Sequence, residues 1–401
     1  MRAPSASSRG DPAAAGRSAT GPARPIAIFL PALYAGGAER VLVNLAGELH
    51  KRGHSVDLVL AHATGPYLDR VPAGVRVVDL GCRRVATALL PFARYLREVQ
   101  PVAVHAAIDH TNVIALLARA FVRLTGGTDT RMVVSVHTPP SVFQSLSSGL
   151  VRARGAMVGA IARFAYRLAD EVVAVSAGVA DDVARTLHLP RERIRVIYNA
   201  ALTEDPAGQG RAPLGPVPIA LKGRRFLVAA GRLMPSKDFA NLLEAMARLR
   251  RHRDVALLIL GDGPERAALE ALVQKLGLGA DVWLAGFQAN PYRFFSRAAV
   301  FVLPSRREGL PTVLIEAMAC GCPIVSTDSP HGPREILADG RFGHLVPMGE
   351  PRALADAIAR MLDHPTSPDL LEERLAAFAT DAIIEAHLET LLGTTRERCP
   401  S

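Results

Sequence analysis

The sequence is poor in cysteine and in aromatic residues. Only four cysteines, Cys82, Cys320, Cys322 and Cys399, occur in 401 residues, and aromatic residues make up 5%. This content is too low for a disulfide framework in a chain of this length. The Cys320-Gly-Cys322 spacing does not match a CxxC redox or zinc pair. We therefore expect reduced, structural cysteines and no metal site.

The chain also lacks any apolar run near the roughly 18 residues that a membrane span requires. Residues 1–24 consist mainly of Ala, Ser, Gly, Pro and Arg and have no hydrophobic segment typical of a secretory signal. Their low complexity predicts a disordered tail. Together these features predict a cytoplasmic protein, with peripheral attachment to the cytoplasmic face of a membrane as one option.

Positively charged residues outnumber negatively charged ones. The net charge is +9, and Arg far outnumbers Lys. Such a balance indicates possible anionic partners and not a fold. We expect no nucleic acid partner, because no basic patch interleaved with aromatic residues and no known nucleic-acid module is present.

Two basic regions without acidic residues bear on an anionic membrane surface. One extends from Cys82 to Arg97 and the other from Phe143 to Ala169. In the second, Arg152, Arg163 and Arg167 fall on one side of a helix at about 100° per residue. They predict either a basic amphipathic face that docks on anionic lipid and an acceptor, or an ordinary surface helix.

Short apolar runs alternate with helical patterns along the first half of the chain. The predicted strands are Ile26–Leu30, Ser55–Ala61, Val75–Leu80, Val102–Ala106, Met132–His137, Glu171–Ser176 and Ile194–Tyr198. Near-continuous apolar strands that alternate with helices predict a parallel sheet covered on both faces. We assign residues 25–204 to this first domain.

The alternation stops over residues 205–222, which are rich in Pro, Gly and Ala and predict a linker. It then restarts over residues 223–368 as a second domain, with strands at Phe226–Ala230, Ala256–Leu260, Val282–Ala285, Val300–Leu303, Ile324–Thr327 and His344–Val346. Residues 369–401 contain a helical segment without a strand of its own. We expect this segment to pack back across the domain boundary.

The most informative stretch runs from Ser305 to Ala319, after the strand Val300–Leu303. It predicts Glu308 on a loop at the carboxyl end of a strand and Glu316 about one turn into the following helix. Ligands bind at this edge in open parallel sheets, and a helix start favours anions. Two acids beside an anion site indicate a ligand with both phosphate and hydroxyl groups, such as a sugar nucleotide.

A second stretch, Gly231 to Phe239, carries two cations after the first strand of the second domain. Arg232 and Lys237 could hold a diphosphate and stabilise it as a leaving group. Alone they could equally be solvated surface charges. Their pairing with the acidic stretch favours the ligand-binding interpretation.

Three further turns are weaker indicators. Gly36 and Gly37 follow the first strand, where they allow a close backbone approach or form an ordinary turn. Asp262, in Gly261-Asp-Gly-Pro264, either caps a helix that begins at Pro264, which we favour, or lines the nucleotide crevice. Gly286 offers a backbone amide to a base edge, with Phe287 packed nearby.

These motifs, in this order and over residues 25 to 390, resemble the retaining glycosyltransferases of GT-B type, specifically family 4 (glycosyl transferases group 1). The resemblance is carried by Gly36-Gly37-Ala-Glu39, Gly231-Arg232 with Lys237, Gly261-Asp-Gly-Pro264, Gly286-Phe287, and Glu308 and Glu316 with seven residues between them. It implies two doubly wound Rossmann-like α/β domains that face a central cleft, with a C-terminal helix that crosses between them.

The resemblance also implies roles. Arg232 and Lys237 would bind the donor diphosphate, Glu308 the sugar hydroxyls and Glu316 the ribose hydroxyls. The amides of Gly309 and Leu310 would lie near phosphate or sugar, and Gly36 and Gly37 would face the diphosphate or acceptor from the other domain. Phe287 would mark the base site. His137 matches a histidine near the reacting sugar, or it is a histidine buried at a strand end.

The expected activity is transfer of a sugar from a nucleotide-diphosphate sugar, with a UDP-sugar favoured, to a hydroxyl of a glycan or lipid-linked acceptor. The catalytic set would be His137, Glu308, Arg232 and Lys237, with retention of configuration and no metal or other cofactor. The alternatives are a GT-B epimerase, a phosphorylase, or a non-catalytic scaffold that binds nucleotides or glycans. The phosphorylase would require a lysine for pyridoxal phosphate, which we cannot identify.

Overall fold

A computed structural model describes residues 24–34, 36–141, 159–203, 205–215, 218 and 223–393. Two parallel β-sheets form the centre of the molecule. The first has seven strands in the order β3-β2-β1-β4-β5-β6-β7. These strands are β1 Ile26–Leu30, β2 Val56–Leu60, β3 Arg76–Asp79, β4 Ala103–Ala107, β5 Arg131–Val136, β6 Glu171–Ala174 and β7 Ile194–Val196.

The second sheet has six strands in the order β10-β9-β8-β11-β12-β13. These strands are β8 Phe226–Ala230, β9 Ala256–Leu260, β10 Val282–Gly286, β11 Val300–Leu303, β12 Ile324–Thr327 and β13 His344–Val346. Every pairing between these strands is parallel. Their central strands are apolar on both faces, as expected for a sheet covered by helices on each side.

Helices connect successive strands in both halves. Those of the first half are α1 Gly37–Lys51, α2 Leu89–Val99, α3 Asp109–Thr125 and α4 Ala177–Leu187, and residues 159–166 are also helical. Those after the first sheet are α5 Pro206–Gly210, α6 Phe239–Leu249, α7 Arg266–Lys275, α8 Tyr292–Phe295, α9 Thr312–Ala319, α10 Pro333–Ile336, α11 Pro351–Asp363, α12 Pro368–Leu375 and α13 Thr380–Leu392.

Amphipathic spacing explains why these segments are helical. In α6 the buried side chains Leu242, Leu243, Met246 and Leu249 recur every three or four residues, which places them on one face of the helix. Proline at the first helical position starts α10 and α11, where its missing N–H costs nothing. The sequence thus specifies most helix positions through local patterns.

Strand order reverses once in each sheet, between β1 and β4 and between β8 and β11. Such a reversal leaves a crevice outside the carboxyl ends of the strands, where ligands bind in doubly wound folds. The observed sheets confirm the predicted α/β architecture with two Rossmann-like halves. The reversal points also locate the crevices in which functional residues are to be sought.

The described part of residues 205–222 is not extended throughout. It contains the short helix α5, and the carbonyl oxygen of Gly210 accepts a hydrogen bond of 2.8 Å from Ser296 Oγ. The predicted linker therefore begins with a segment that packs on the second half. At the other end of the chain, Arg24 pairs with Asp129 at 2.6 Å, so the ordered structure includes this last residue of the predicted tail.

The C-terminal helices cross back between the two halves. Helix α12 packs on α9 of the second half, whereas α13 packs on β4, β5 and α1 of the first. The buried face of α13 joins the core of the first sheet through Ile383, Ile384, Leu388 and Leu391. The guanidinium of Arg131 on β5 donates a 2.8 Å hydrogen bond to the carbonyl oxygen of Thr390. The expected crossing of the last helical segment is confirmed.

None of the helices within the described residues is both long enough and apolar enough to cross a lipid bilayer.

Candidate active site

The loops at the two reversal points face each other across a cleft. Gly36 and Gly37 follow β1, the Gly231 loop follows β8, and the Glu308 loop follows β11. The structure therefore brings together three of the motifs that the sequence places more than 70 residues apart. The chemistry of the cleft follows from how their side chains pair.

Lys237 and Glu308 form an ion pair inside the second half. Lys237 Nζ lies 2.6 Å from Glu308 Oε1, and the side chains are 24% and 9% exposed. Lys237 ends a 3₁₀ turn, and Asp238 follows with a left-handed backbone (φ +48°) before α6 begins. This turn directs a cation into the crevice between β8 and β11. Arg232, on the same loop, is exposed.

Glu316 is almost completely buried, with 1% of its side chain exposed. It lies on α9, as predicted, and its Oε1 accepts a hydrogen bond from Nη2 of Arg40 on α1. The pair therefore joins the two halves of the molecule. A carboxylate at this depth requires such a partner, because an unpaired buried charge is strongly unfavourable.

The turn Gly261-Asp-Gly263 lies directly on the Gly231 loop. A Cβ on Gly261 (φ +134°) would overlap the carbonyl oxygen of Gly231, so only glycine fits there. The favoured capping role of Asp262 is wrong: α7 begins at Arg266, and Asp262 Oδ1 instead accepts a 2.7 Å hydrogen bond from the amide of Gly263. Local turn chemistry uses the carboxylate before the helix starts.

The N-terminus of α1 holds a carboxylate of the chain itself. Gly36 is the N-cap residue, and Glu39 folds back so closely that a Cβ on Gly36 would overlap its Oε2. Burial raises the pKa of the Glu39 carboxyl, and its own backbone amide and the Arg232 cation oppose that rise. The anion position expected beside Gly36 and Gly37 thus contains Glu39 in this structure.

The two halves touch at Gly309. A Cβ on this residue would overlap the carbonyl oxygen of His137, and Ser176 Oγ donates a 3.0 Å hydrogen bond to the Gly309 carbonyl oxygen. Nearby, the amide of Ala177 at the start of α4 donates to both carboxylate oxygens of Glu335, at 3.0 and 2.9 Å. Leu310 is buried behind this contact. The structure therefore describes closely apposed halves.

His137 follows β5 at the base of the cleft. Its Nε2 lies 3.1 Å from Ser135 Oγ, and its Nδ1 is buried without a hydrogen-bond partner among the described residues. Burial lowers the pKa of His137 to about 4, so the ring is neutral near pH 7. A neutral imidazole can donate or accept a hydrogen bond but does not supply positive charge.

Two more buried histidines lie behind His137. The rings of His105 on β4 and His387 on α13 are 5.3 Å apart. Neither ring nitrogen of His105 has a partner among the described residues. Burial lowers the pKa of His387 to about 3 and that of His105 well below its ordinary value. All three rings are therefore held uncharged.

The predicted base site is open. Phe287 is 57% exposed, and the Gly286 carbonyl oxygen accepts a 2.8 Å bond from the Gly261 amide. The side chain of Arg266 on α7 reaches this turn and donates a 3.2 Å hydrogen bond to the Leu284 carbonyl oxygen. Phe287 is thus an exposed aromatic ring that directly follows the turn contacted by Arg266.

Of the three arginines assigned to a membrane or acceptor face, Arg152 lies outside the described residues. Arg163 Nε donates a 3.3 Å hydrogen bond to the Thr186 carbonyl oxygen, and Arg167 is exposed. A group of exposed apolar side chains on α2 and α3 was not predicted. It comprises Leu90 on α2 and Phe121 and Leu124 on α3, with 64%, 37% and 86% of each residue exposed.

Within the described part of the chain, no cluster of three or more His, Cys, Asp or Glu side chains is arranged to hold a metal ion. Cys82, Cys320 and Cys322 are free thiols. Burial, with the nearby Glu316 and Asp205 charges, raises the pKa of the Cys320 thiol to about 12. This thiol is therefore not an activated nucleophile.

Arg40 is the main residue that sequence reasoning missed. Its position next to the glycine loop was the only available signal, because its partner Glu316 is 276 residues away. Glu39 carried a clearer signal: a glutamate three residues into a helix commonly returns to the N-cap amide.

Two models of known protein families match this chain. The family model "Glycosyl transferases group 1" matches residues 217–379, and the model "Glycosyltransferase Family 4" matches residues 35–204. These two ranges contain the second sheet, all of the first sheet except β1, and the glycine, Gly231 and Glu308 loops.

Two curated relatives are similar over most of their length. One is N-acetylgalactosamine-N,N'-diacetylbacillosaminyl-diphospho-undecaprenol 4-alpha-N-acetylgalactosaminyltransferase of Campylobacter jejuni, 30% identical over 383 residues, covering 92% of this chain and 99% of the relative. The other is alpha-D-kanosaminyltransferase of Streptomyces kanamyceticus, 30% identical over 305 residues, covering 73% of this chain and 77% of the relative.

Solved structures share the fold. Anabaena HepE in complex with UDP superimposes with a TM-score of 0.73 at 22% identity, covering 92% of this chain and 100% of that structure. Sucrose-phosphate synthase from Thermosynechococcus elongatus has a TM-score of 0.73 at 24% identity, covering 91% of this chain and 98% of that structure. At these identities the likeness concerns the fold alone.

Proposed function

The chain belongs to the glycosyl transferases group 1 family and is a glycosyltransferase; from this premise we propose that it uses a nucleotide-diphosphate sugar and retains the anomeric configuration. The acceptor is a hydroxyl of a glycan or of a lipid-linked saccharide. The donor lies between β8 and β11, and the acceptor approaches from the first half of the molecule.

The Lys237–Glu308 pair is the observation that carries this proposal. A 2.6 Å contact places one cation and one partly buried carboxylate together, and Arg232 lies exposed on the same loop as Lys237. A diphosphate needs fixed cations, and sugar hydroxyls need a fixed acceptor. The pair supplies both, with Lys237 directed to the diphosphate and Glu308 to the hydroxyls of the donor sugar.

Bond breaking places negative charge on the departing diphosphate. Lys237 and Arg232 stabilise that charge, and fixed charges are effective because they do not reorganise during the reaction. We therefore propose that these cations perform the task that a divalent metal has in other transferases, and that no cofactor is needed. His137, as a neutral ring, hydrogen-bonds near the reacting carbon without adding charge.

Retention follows in this proposal from the role of Glu308. Its carboxylate is held by Lys237, so it serves as a hydrogen-bond acceptor for hydroxyl groups and not as a nucleophile. The acceptor hydroxyl then attacks on the face from which the diphosphate leaves, and a phosphate oxygen takes its proton. Apposition of the two halves at Gly309 excludes water and limits hydrolysis.

We favour a UDP-sugar as donor and a polyprenyl-diphosphate-linked or polysaccharide acceptor. Anabaena HepE was solved with UDP, and the Campylobacter jejuni relative is named for an undecaprenyl-diphosphate-linked acceptor. An aromatic face at Phe287 beside Arg266 suits a base with carbonyl oxygens. Ribose hydroxyls would bind Glu316.

Peripheral attachment to an anionic membrane on the cytoplasmic side completes the proposal. Leu90, Phe121 and Leu124 lie on α2 and α3, which pack against each other. Arg97 sits with its guanidinium carbon 5.2 Å from the centre of the Phe121 ring. Exposed apolar side chains beside arginines are suited to an interface that contains acidic lipid.

The test uses purified protein with a panel of UDP-, GDP-, ADP- and TDP-sugars, each assayed for thermal stabilisation and for transfer to polyprenyl-diphosphate-linked and free saccharides. We expect stabilisation by a UDP-sugar, transfer in the presence of EDTA, and a product whose anomeric proton coupling matches the donor. An inverted product would overturn the retaining mechanism, and no binding of any nucleotide sugar would overturn the proposal as a whole.

The membrane contact has a separate test. Co-sedimentation is measured with vesicles of phosphatidylcholine alone and with added phosphatidylglycerol. We expect binding only with the acidic lipid and a clear loss for Leu124→Asp, whereas Leu392→Asp, at an exposed apolar position on another helix, keeps it. Equal binding by both variants would remove α3 from the contact.

A further inference from the structure

Arg40 makes a deeply buried charge contact between the two halves. Its Nη2 donates to Oε1 of Glu316, a carboxylate with only 1% exposure, while Arg40 itself retains 22%. Arg40 lies in the first turns of α1, directly after the glycine loop. The guanidinium therefore reaches from one wall of the cleft to the residue that we assign to the donor ribose.

The neighbouring residue of α1 faces the opposite charge. Glu39 lies against Gly36, and the Arg232 cation acts on its carboxylate. Two consecutive residues of α1 thus lie near opposite charges. The acid Glu39 lies near the cation Arg232, and the cation Arg40 pairs with the acid Glu316. Tyr67 lies near the same charges. Burial raises the pKa of its hydroxyl, Arg40 opposes that rise, and Glu39 and Glu316 add to it.

In this arrangement, groups of the protein itself make contacts that a donor nucleotide could also make. The Arg40 guanidinium gives Glu316 the N–H donors that ribose hydroxyls would otherwise provide. The Glu39 carboxylate occupies a helix N-terminus and faces a cation, as a phosphate would. A donor that brings both hydroxyls and phosphates must therefore compete with both residues.

We propose that Arg40 is a positioning residue that exchanges its partner Glu316 for the donor diphosphate when a nucleotide sugar binds. This inference rests on the proposed function, because it takes Glu316 as the ribose site. Ribose hydroxyls occupy the Glu316 oxygens, and the released guanidinium turns to the phosphates nearby. The first half of the molecule thereby supplies a cation only when a complete nucleotide is present.

An exchange of partners by Arg40 predicts a result that a permanent Arg40–Glu316 ion pair does not. Removal of Arg40 frees Glu316 for a nucleoside without phosphates but takes a cation away from a nucleoside diphosphate. The affinity advantage of UDP over uridine therefore falls, because both ligands carry the ribose but only UDP carries the phosphates. A residue that merely holds the halves together would weaken both ligands alike and leave this advantage unchanged.

The experiment titrates uridine and UDP into wild type and Arg40→Gln by calorimetry. Arg52→Gln is the matched control, because Arg52 lies at the far end of α1 and pairs with Glu48 at 2.7 Å. We expect uridine to bind Arg40→Gln at least as tightly as wild type. The affinity advantage of UDP over uridine falls about tenfold or more, since a hydrogen bond to a charged group is among the strong ones. Arg52→Gln keeps the wild-type ratio.

An unchanged ratio in Arg40→Gln, with both ligands weakened alike, would overturn the exchange and leave Arg40 as a structural bridge. If Arg40→Gln is too unstable to titrate, Arg40→Met takes its place: it keeps a long side chain but has no charge for the phosphates, so the same ratio must fall. If wild type binds UDP and Arg40→Gln keeps the wild-type ratio of UDP to uridine affinity, only this inference is rejected. Wild type that binds neither UDP nor any other nucleoside diphosphate rejects the proposed function itself.

Discussion

Lys237 Nζ and Glu308 Oε1 are 2.6 Å apart, although 71 residues separate them in the sequence. The contact links the cationic loop after β8 with the acidic loop after β11. Each group is thus held in place by the other. Loss of either residue therefore leaves the charge of its partner unpaired and the position of that side chain no longer fixed.

Lys237→Ala removes a cation from the proposed diphosphate site. We expect kcat to fall about 10²–10³-fold, which is the usual effect of removing one group that stabilises developing charge. Lys275→Ala, at the exposed end of α7, is the control and should keep wild-type turnover. Initial rates with saturating donor provide the measurement. Normal turnover by Lys237→Ala would exclude this residue from the site.

Glu316→Gln tests the ribose assignment. Wild type should bind UDP more tightly than 2'-deoxyuridine diphosphate, because hydrogen bonds from hydroxyls to a charged acceptor are strong. We expect the variant to lose most of this preference, about tenfold, whatever its affinity for UDP. Glu372→Gln on α12 is the control. A variant that keeps the full preference would place the ribose elsewhere.

Gly309→Ala tests the apposition of the two halves. The added methyl group would overlap the His137 carbonyl oxygen, so the two loops must separate. We expect a loss of about 1–3 kcal/mol in the free energy of unfolding and at least about tenfold in kcat. Gly159→Ala, where a Cβ meets nothing within 4 Å, should be neutral or slightly stabilising. Equal behaviour of the two variants would argue against a tight contact at Gly309.

The buried histidines predict a loss of stability in acid. Their pKa values are lowered in the fold, to about 4 for His137 and about 3 for His387, from about 6.5 in the unfolded chain. The unfolded state therefore binds more protons below pH 6.5, and stability falls as the pH decreases from there toward 4. Above pH 6.5 these groups leave stability independent of pH.

His387→Leu should reduce that acid dependence. Between pH 7.5 and pH 5.5, one histidine of this kind contributes about 1.4 kcal/mol to the decrease in unfolding free energy. Denaturant titrations at the two pH values measure the decrease for wild type and variant. His62→Leu, at an exposed position, should retain the wild-type dependence. An unchanged decrease in His387→Leu would mean that this ring is charged or solvated in the fold.

The fold was largely predictable because its signals are local. Runs such as Ala256–Leu260 are apolar at every position, which marks a strand covered on both faces. Helix starts at Pro333 and Pro351 follow from proline geometry alone. Strand bounds were therefore close to those observed, and the resemblance carried by the motifs led to the correct family.

The site was predictable only in its composition. Residue types and spacing selected Arg232, Lys237, Glu308 and Glu316, but the partners of these side chains depend on tertiary contacts. Arg40 meets Glu316 only after two domains have folded and come together, so no local pattern contains this pair. Asp262 was misassigned for a related reason, since the turn that uses its carboxylate competes with helix capping over the same few residues.

The position of α13 has a consequence for the order in which the molecule is made. Ile384 and Leu391 complete the core around β1 and β4, yet they are synthesised about 280 residues after β4 and about 355 residues after β1. A nascent chain that emerges from the ribosome therefore carries a finished first sheet with one face uncovered. The half of the enzyme that is translated first becomes fully folded last, and a chain that stops before Thr380 leaves its hydrophobic interior open to other chains.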